Sequence, residues 1–200
     1  MAKVTISYFD FPGGRGEDCR LALHIAGVDF EDDRIQGPAW ADKKATTPFG
    51  AMPVLTIEGK GQLAQSNVIL RFIGENHGLH PKDPWASAQH ASLMAAVEDL
   101  RSQLTPVLRV AGDEREKARK DFATGPMQQW AANMERHITG PFVAGDDINV
   151  VDLKIFVLMK WFVSGGVDHI GGEVFADFPK LNALYDAVAD HPKVEDWYAK

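Results

Sequence analysis

The sequence predicts a chain of two parts, α/β plus all-α: a small mixed α/β domain followed by a helical bundle. Strand-like alternation and glycine or proline breaks fill the first third, while apolar residues recur at helical spacing through most of the rest. Between them lies a short proline-bearing segment, His80-Pro-Lys-Asp-Pro84. We therefore expect domains at 1–79 and 85–200, joined by a linker at 80–84. With 200 residues, 45% of them hydrophobic, the chain can bury a sizeable core.

Residues 3 to 9 put Val4, Ile6 and Tyr8 on one face, the period-two pattern of a strand. Pro12, Gly13, Gly14 and Gly16 break it. Cys19, Ala22, Leu23 and Ala26 then follow at helical spacing until Gly27 stops the helix. Next come a short polar strand from Phe30 to Ile35, a loop from Gln36 to Thr47, and a strand leading from Pro53 to a tight Glu58-Gly59 turn. Gln62 to Ala64 can pair back as a hairpin. A second helix starts at Ser66, aligns Val68, Ile69, Phe72 and Ile73, and ends at Gly78. The order is βαβ followed by ββα.

After the linker, Leu93, Val97, Leu100 and Leu104 mark a long helix, Met127, Trp130, Ala131 and Met134 another, and Leu181, Leu184, Tyr185 and Val188 a late one. Asn149 precedes an apolar run with Asp152 three residues later, a capping pair at a positive helix end. From Val150 to Val163 only Asp152, Lys154 and Lys160 interrupt the apolar sequence, which predicts a central helix enclosed by others. It is too short to span a membrane.

The formal charge of -7 and the absence of clustered Lys and Arg argue against a nucleic-acid partner. No signal-peptide pattern opens the chain and no apolar stretch is long enough for the bilayer, so we expect a cytoplasmic protein with no membrane partner. Cys19, the single cysteine, cannot form an internal disulfide and agrees with a reducing compartment. His77 and His80 lack the further ligands of a zinc spacing, and we expect no metal.

Several strings at consistent separations carry a resemblance. Tyr8-Phe9-Asp10 followed by Arg15 and Glu17, then Phe30-Glu-Asp-Asp-Arg-Ile35, Trp40, Thr47-Pro-Phe-Gly-Ala-Met-Pro53 and Gln65-Ser66, resemble the sigma-class glutathione transferases. That class includes haematopoietic prostaglandin D synthase and squid lens crystallins. Gly145 to Asp152 is similar to the capping motif of the family's core helix. Three departures stand out: the turn after Tyr8 is one residue longer, Asn149 replaces Ser or Thr, and Ala51 stands where Lys or Gln is frequent.

The resemblance implies a thioredoxin-like glutathione-binding domain, and a helical domain that forms the electrophile pocket and part of a homodimer interface. Glutathione is then a co-substrate, with no prosthetic group. Tyr8 and Arg15 become the catalytic residues. A phenol donates its O–H to the sulfur, whereas a tyrosinate would repel the thiolate. Lowering a thiol pKa from about 8.5 to about 6.5 needs ~2.7 kcal/mol, within reach of one or two charge-assisted hydrogen bonds. The remaining glutathione contacts implied are Trp40 and Lys44 at the glycyl carboxylate, Met52 before a cis Pro53 at the cysteinyl part, and Gln65 and Ser66 at the γ-glutamyl carboxylate. Asp99 would reach across the dimer to the α-amino group, and Phe49 would lodge in the neighbouring subunit.

Phe9, Phe11 and Arg15 are expected around a small hydrophobic electrophile, with Trp161 and Phe162 as further candidates. Cys19 is a rival nucleophile, although its place on the apolar stripe favours packing. Three readings follow: a transferase acting on aryl halides, enones or epoxides, a glutathione-dependent isomerase, and a non-catalytic binding protein on the same scaffold.

Overall fold

The computed structural model describes residues 2–199. Its four-stranded mixed sheet has the order β2-β1-β3-β4, with β1 (Val4–Phe9) parallel to β2 (Glu31–Ile35) and antiparallel to β3 (Val54–Ile57). Strand β4 (Gly61–Ala64) closes the hairpin, with Val54 opposite Ala64. The polar sequence of β2 suits its position, because charged side chains on an edge strand discourage pairing with another chain.

Helix α1 (Gly14–Ile25) packs against β1, against α3 (Ser66–His77), and against helices of the second part. It is therefore buried on several sides, and even its polar residues Glu17, Asp18 and Arg20 are shielded from water. The segment expected as a loop from Gln36 to Thr47 is instead partly helical. A 3₁₀ turn at Gly37–Ala39 runs into α2 (Trp40–Lys44), too short for an apolar period to reveal it.

Helix α4 (Pro84–Arg109) opens with Asp83 accepting from the Ala86 N–H at 2.8 Å. Helix α5 (Glu114–Phe122) has little apolar stripe and is laced by Glu116–Lys120 and Lys117–Asp121 pairs one turn apart. A π turn at Ala123–Met127 leads into α6 (Gln128–Glu135). Helices α7 (Val150–Val163), α8 (Pro179–Ala189) and α9 (Pro192–Tyr198) complete the bundle.

Helix α7 is the centre of the bundle, buried without interruption from Val150 to Met159 and packed on α1, α4 and α8. Asp152 closes its start, accepting from the Asn149 N–H at 2.7 Å and the Val143 N–H at 2.8 Å. Burial raises its pKa to about 7 against these two bonds.

Candidate active site

Strand β1 delivers Tyr8 to the start of α1, and two glycines make room for it. A Cβ at Gly16 would lie 2.1 Å from the Tyr8 ring, and one at Gly14, whose φ is +67°, would lie 2.9 Å from the hydroxyl oxygen. Gly14 opens α1, so the long turn still brings the Arg15 backbone N–H to the phenol oxygen. Arg20 ties the turn from below. Its guanidinium donates to the carbonyls of Phe9 at 3.1 Å and Phe11 at 3.2 Å, and its Nε to Asp32 at 2.7 Å.

Tyr8 is only 7% exposed, with the rings of Phe9 and Phe11 centred 5.5 and 5.7 Å away. Burial pushes its pKa above the ordinary phenol value, opposed in part by the Arg15 charge. The hydroxyl is consequently protonated at neutral pH, as a donor must be.

Beside this turn, a cleft opens between the Phe49–Pro53 segment, the start of α3, and α4. Arg15, Met52, Pro53, Gln65, Ser66 and Glu98 are among its walls, and the Met52-Pro53 bond is cis. Gln65 has a φ of 73°, an uncommon conformation for a residue with a side chain, and its carbonyl accepts from the Val68 and Ile69 N–H groups at 2.9 Å each. The first N–H groups of α3 have no intrahelical acceptor, and together with the buried Ser66 they give this wall a positive character suited to a carboxylate. Asn67 adds a buried Oδ1 without a hydrogen-bond partner among the described residues.

The other expected residues lie around the cleft rather than in its walls. Trp40 packs edge-on against Phe9 at 5.6 Å, and Lys44, exposed on α2, runs alongside Gly50. Phe9 is half-buried and Phe11 exposed, both next to Tyr8. Asp99 points to solvent, and its neighbour Glu98 is the acid of α4 that faces the cleft. Glu98 and Arg101 border the Val97–Leu100–Leu104 stripe, a signal that could have singled them out. Gly16 and Asn67 are further site residues that sequence reasoning missed, since a close approach to a ring leaves no trace in periodicity.

Cys19 is fully buried, and desolvation pushes its thiol well above the usual range, which removes it as a nucleophile. Ser7 faces β2 and donates to Asp33 at 2.7 Å. His80 bonds Ser87 at 3.0 Å and packs on His90. Among the described residues no group of three or more His, Cys, Asp or Glu is placed to hold a metal ion, and no helix is long and apolar enough to cross a membrane.

A mixed-sheet domain with a cleft at a helix start, joined to an all-helical domain, is the architecture of glutathione-dependent transferases. Residues 4–75 match the family model described as glutathione S-transferase, N-terminal domain, and residues 98–200 match glutathione S-transferase, C-terminal domain. The chain belongs to the glutathione S-transferase family. It is 31% identical to glutathione S-transferase 1 of Ascaris suum, with 100% of this chain and 97% of that protein covered. Hematopoietic prostaglandin D synthase of Gallus gallus is 28% identical over 100% and 97% of the two chains. Among solved structures, a monomeric glutathione S-transferase of Necator americanus superposes with a TM-score of 0.88 at 27% identity, covering 98% of this chain and 96% of that one.

Proposed function

We propose that this glutathione S-transferase conjugates glutathione to small hydrophobic electrophiles, with the Tyr8 hydroxyl donating a hydrogen bond to the sulfur. The observation that carries this reading is the buried Tyr8 hydroxyl packed against the start of α1, next to Arg15, which lines the cleft together with Gln65 and Ser66. The thiol of bound glutathione gives its proton to solvent, and the thiolate, held by Tyr8 and the Arg15 charge, attacks the electrophilic carbon. In substitution a halide leaves; in addition to an enone or epoxide the resulting anion takes a proton.

Ser66 and Gln65 bind the γ-glutamyl carboxylate at the positive end of α3, and the Met52 backbone binds the cysteinyl part ahead of Pro53. Trp40 and Lys44 meet the glycyl carboxylate from α2 as the ligand extends past Phe9. Phe9, Phe11 and Arg15 border the electrophile. In a homodimer Asp99 reaches the partner's ligand, and the 69% exposure of Phe49 supports its use as an anchor between subunits. Light scattering on the purified protein tests the dimer; a monomer at micromolar concentration rejects both assignments. The same reading gives a cytoplasmic protein with no further cofactor.

Retention on immobilised glutathione, followed by conjugation of a model aryl halide, tests the activity. Retention without conjugation rejects the transferase reading. The similarity to prostaglandin D synthases supports a second reading, glutathione-dependent isomerisation of a cyclic peroxide. A rearranged product with no stable conjugate distinguishes it.

A further inference from the structure

The central helix α7 carries a lysine that the apolar pattern does not explain. Lys154 is fully buried, and its ammonium lies 3.1 Å from an Asp18 carboxylate oxygen and 2.5 Å from Glu98 Oε1. Asp18, also fully buried on α1, receives two hydrogen bonds from Arg101 of α4, at 2.6 and 2.8 Å. Arg101 donates to Glu98 Oε1 as well, at 3.0 Å. Three helices from both parts of the chain thus meet in one ionic cluster.

Glu98 is where that cluster reaches the cleft. Its Oε1 faces inward to Lys154 and Arg101, while Oε2 accepts from Arg15 Nε at 2.5 Å. Glu98 is 22% exposed and Arg15 36% exposed, and both line the cleft. Burial favours the neutral acid, but Lys154 and Arg101 outweigh it and hold Glu98 down to about 2, so the carboxylate is ionised throughout the working pH range. With Nε bonded to Glu98, the Arg15 guanidinium is held at the cleft wall, and its terminal amino groups make no hydrogen bond among the described residues.

Stability alone does not single out this arrangement. Buried ion clusters are frequently no more stable than apolar residues of the same volume, because desolvation offsets the attraction. A cluster that starts on the core helix and ends on a cleft arginine has a positional use instead. We infer that Lys154, together with Asp18 and Arg101, is a positioning residue that acts through Glu98 to hold the Arg15 guanidinium toward the glutathione sulfur.

Arg15, Arg101 and Lys154 bring three positive charges against the two carboxylates of Asp18 and Glu98. The neighbouring groups are Tyr8 on β1, the buried Cys19 thiol, and the Glu17–Arg20 pair on another side of α1, where Arg20 also meets Asp32. Tyr198 of α9 lies next to Glu17. Removing Lys154 takes away the shorter of the two contacts on Glu98 Oε1, so the carboxylate and the Arg15 guanidinium it holds are free to shift.

This inference rests on the thiolate reading above, and the test separates the two. The thiolate absorbance of bound glutathione and the acid limb of kcat/KM are measured against pH for the wild type, Lys154→Met and the double variant Asp18→Asn/Lys154→Met. Lys154→Met should raise the apparent thiol pKa by about one unit, a tenfold loss of rate on the acid side, with the glutathione KM changed by less than about twofold. The double variant restores the one-charge excess of the cluster but not the contact between Lys154 and Glu98. It should therefore keep the shifted pH profile. A Lys154→Met profile that overlays the wild type, or a double variant that regains the wild-type profile, overturns the positioning role. If Lys154→Met fails to fold, the double variant alone decides. A wild type with neither thiolate absorbance nor conjugation overturns the thiolate reading and this inference together, before any variant is compared.

Discussion

The turn that carries Tyr8 is shaped by backbone, whereas the helical wall opposite is shaped by charge. On the first side, Gly14 and Gly16 bring α1 against the phenol ring, and the start of α3 forms one wall of the cleft. On the second side, Glu98 lines the cleft and is held by ion pairs to Arg101 and Lys154 behind it. A backbone-built wall tolerates no added atom, while a charge-built wall tolerates a change of shape better than a change of charge. The two sides should therefore fail differently when altered.

The largest expected effect is on the backbone side. Gly16→Val places carbon where the Tyr8 ring lies, so the ring must move and kcat should fall by about a hundredfold or more, as measured by conjugation of a model aryl halide. Activity within threefold of the wild type would show that the turn is softer than its geometry. Next in size is Ser66→Ala. Losing one hydrogen bond to a carboxylate, ~1.5 to 3 kcal/mol, should raise the glutathione KM by about tenfold or more with kcat nearly unchanged.

The charge side is sharpened by pH. The folded protein holds Glu98 at about 2, below the ordinary carboxylate value of about 4.5. Its ion pairs therefore contribute fully above about pH 4.5 and are lost as the pH falls toward 2. Thermal midpoints between these limits should fall for the wild type, and Glu98→Gln should start lower and fall less. Parallel curves would remove Glu98 from acid stability. The smallest effect is expected at Cys19, on the buried face of α1. Cys19→Ala should leave kcat within twofold, and a larger loss would bring the thiol back into the mechanism.

The backbone side was legible in the sequence because glycine and proline punctuate it. Strand β1, the turn, α1 and the β3–β4 hairpin follow from alternation and breaks at Gly13, Gly27, Pro53 and Gly59. Helix α2 escaped because five residues are too few for a period, and α5 because its residues are polar all round. Ser66, Gln65 and Met52 line the cleft, and on α4 the cleft-facing acid is Glu98 while Asp99 is exposed. Adjacent acids on a helix differ by about 100° in facing, which composition cannot assign. Lys154 reads in sequence as an interruption of an apolar run. Its two carboxylate partners lie 56 and 136 residues away, and no local pattern connects them.

The role of Tyr8 is tested most directly by titrating the thiolate absorbance of bound glutathione in the wild type and in Tyr8→Phe. The phenylalanine ring keeps the packing against Phe9 and Gly16 and removes only the donor. The wild type should ionise the thiol near neutral pH, and Tyr8→Phe should move that midpoint up by about two units with glutathione affinity within about threefold. Superimposed titrations, or ionisation and binding lost together, would contradict a hydrogen bond from Tyr8 to the sulfur.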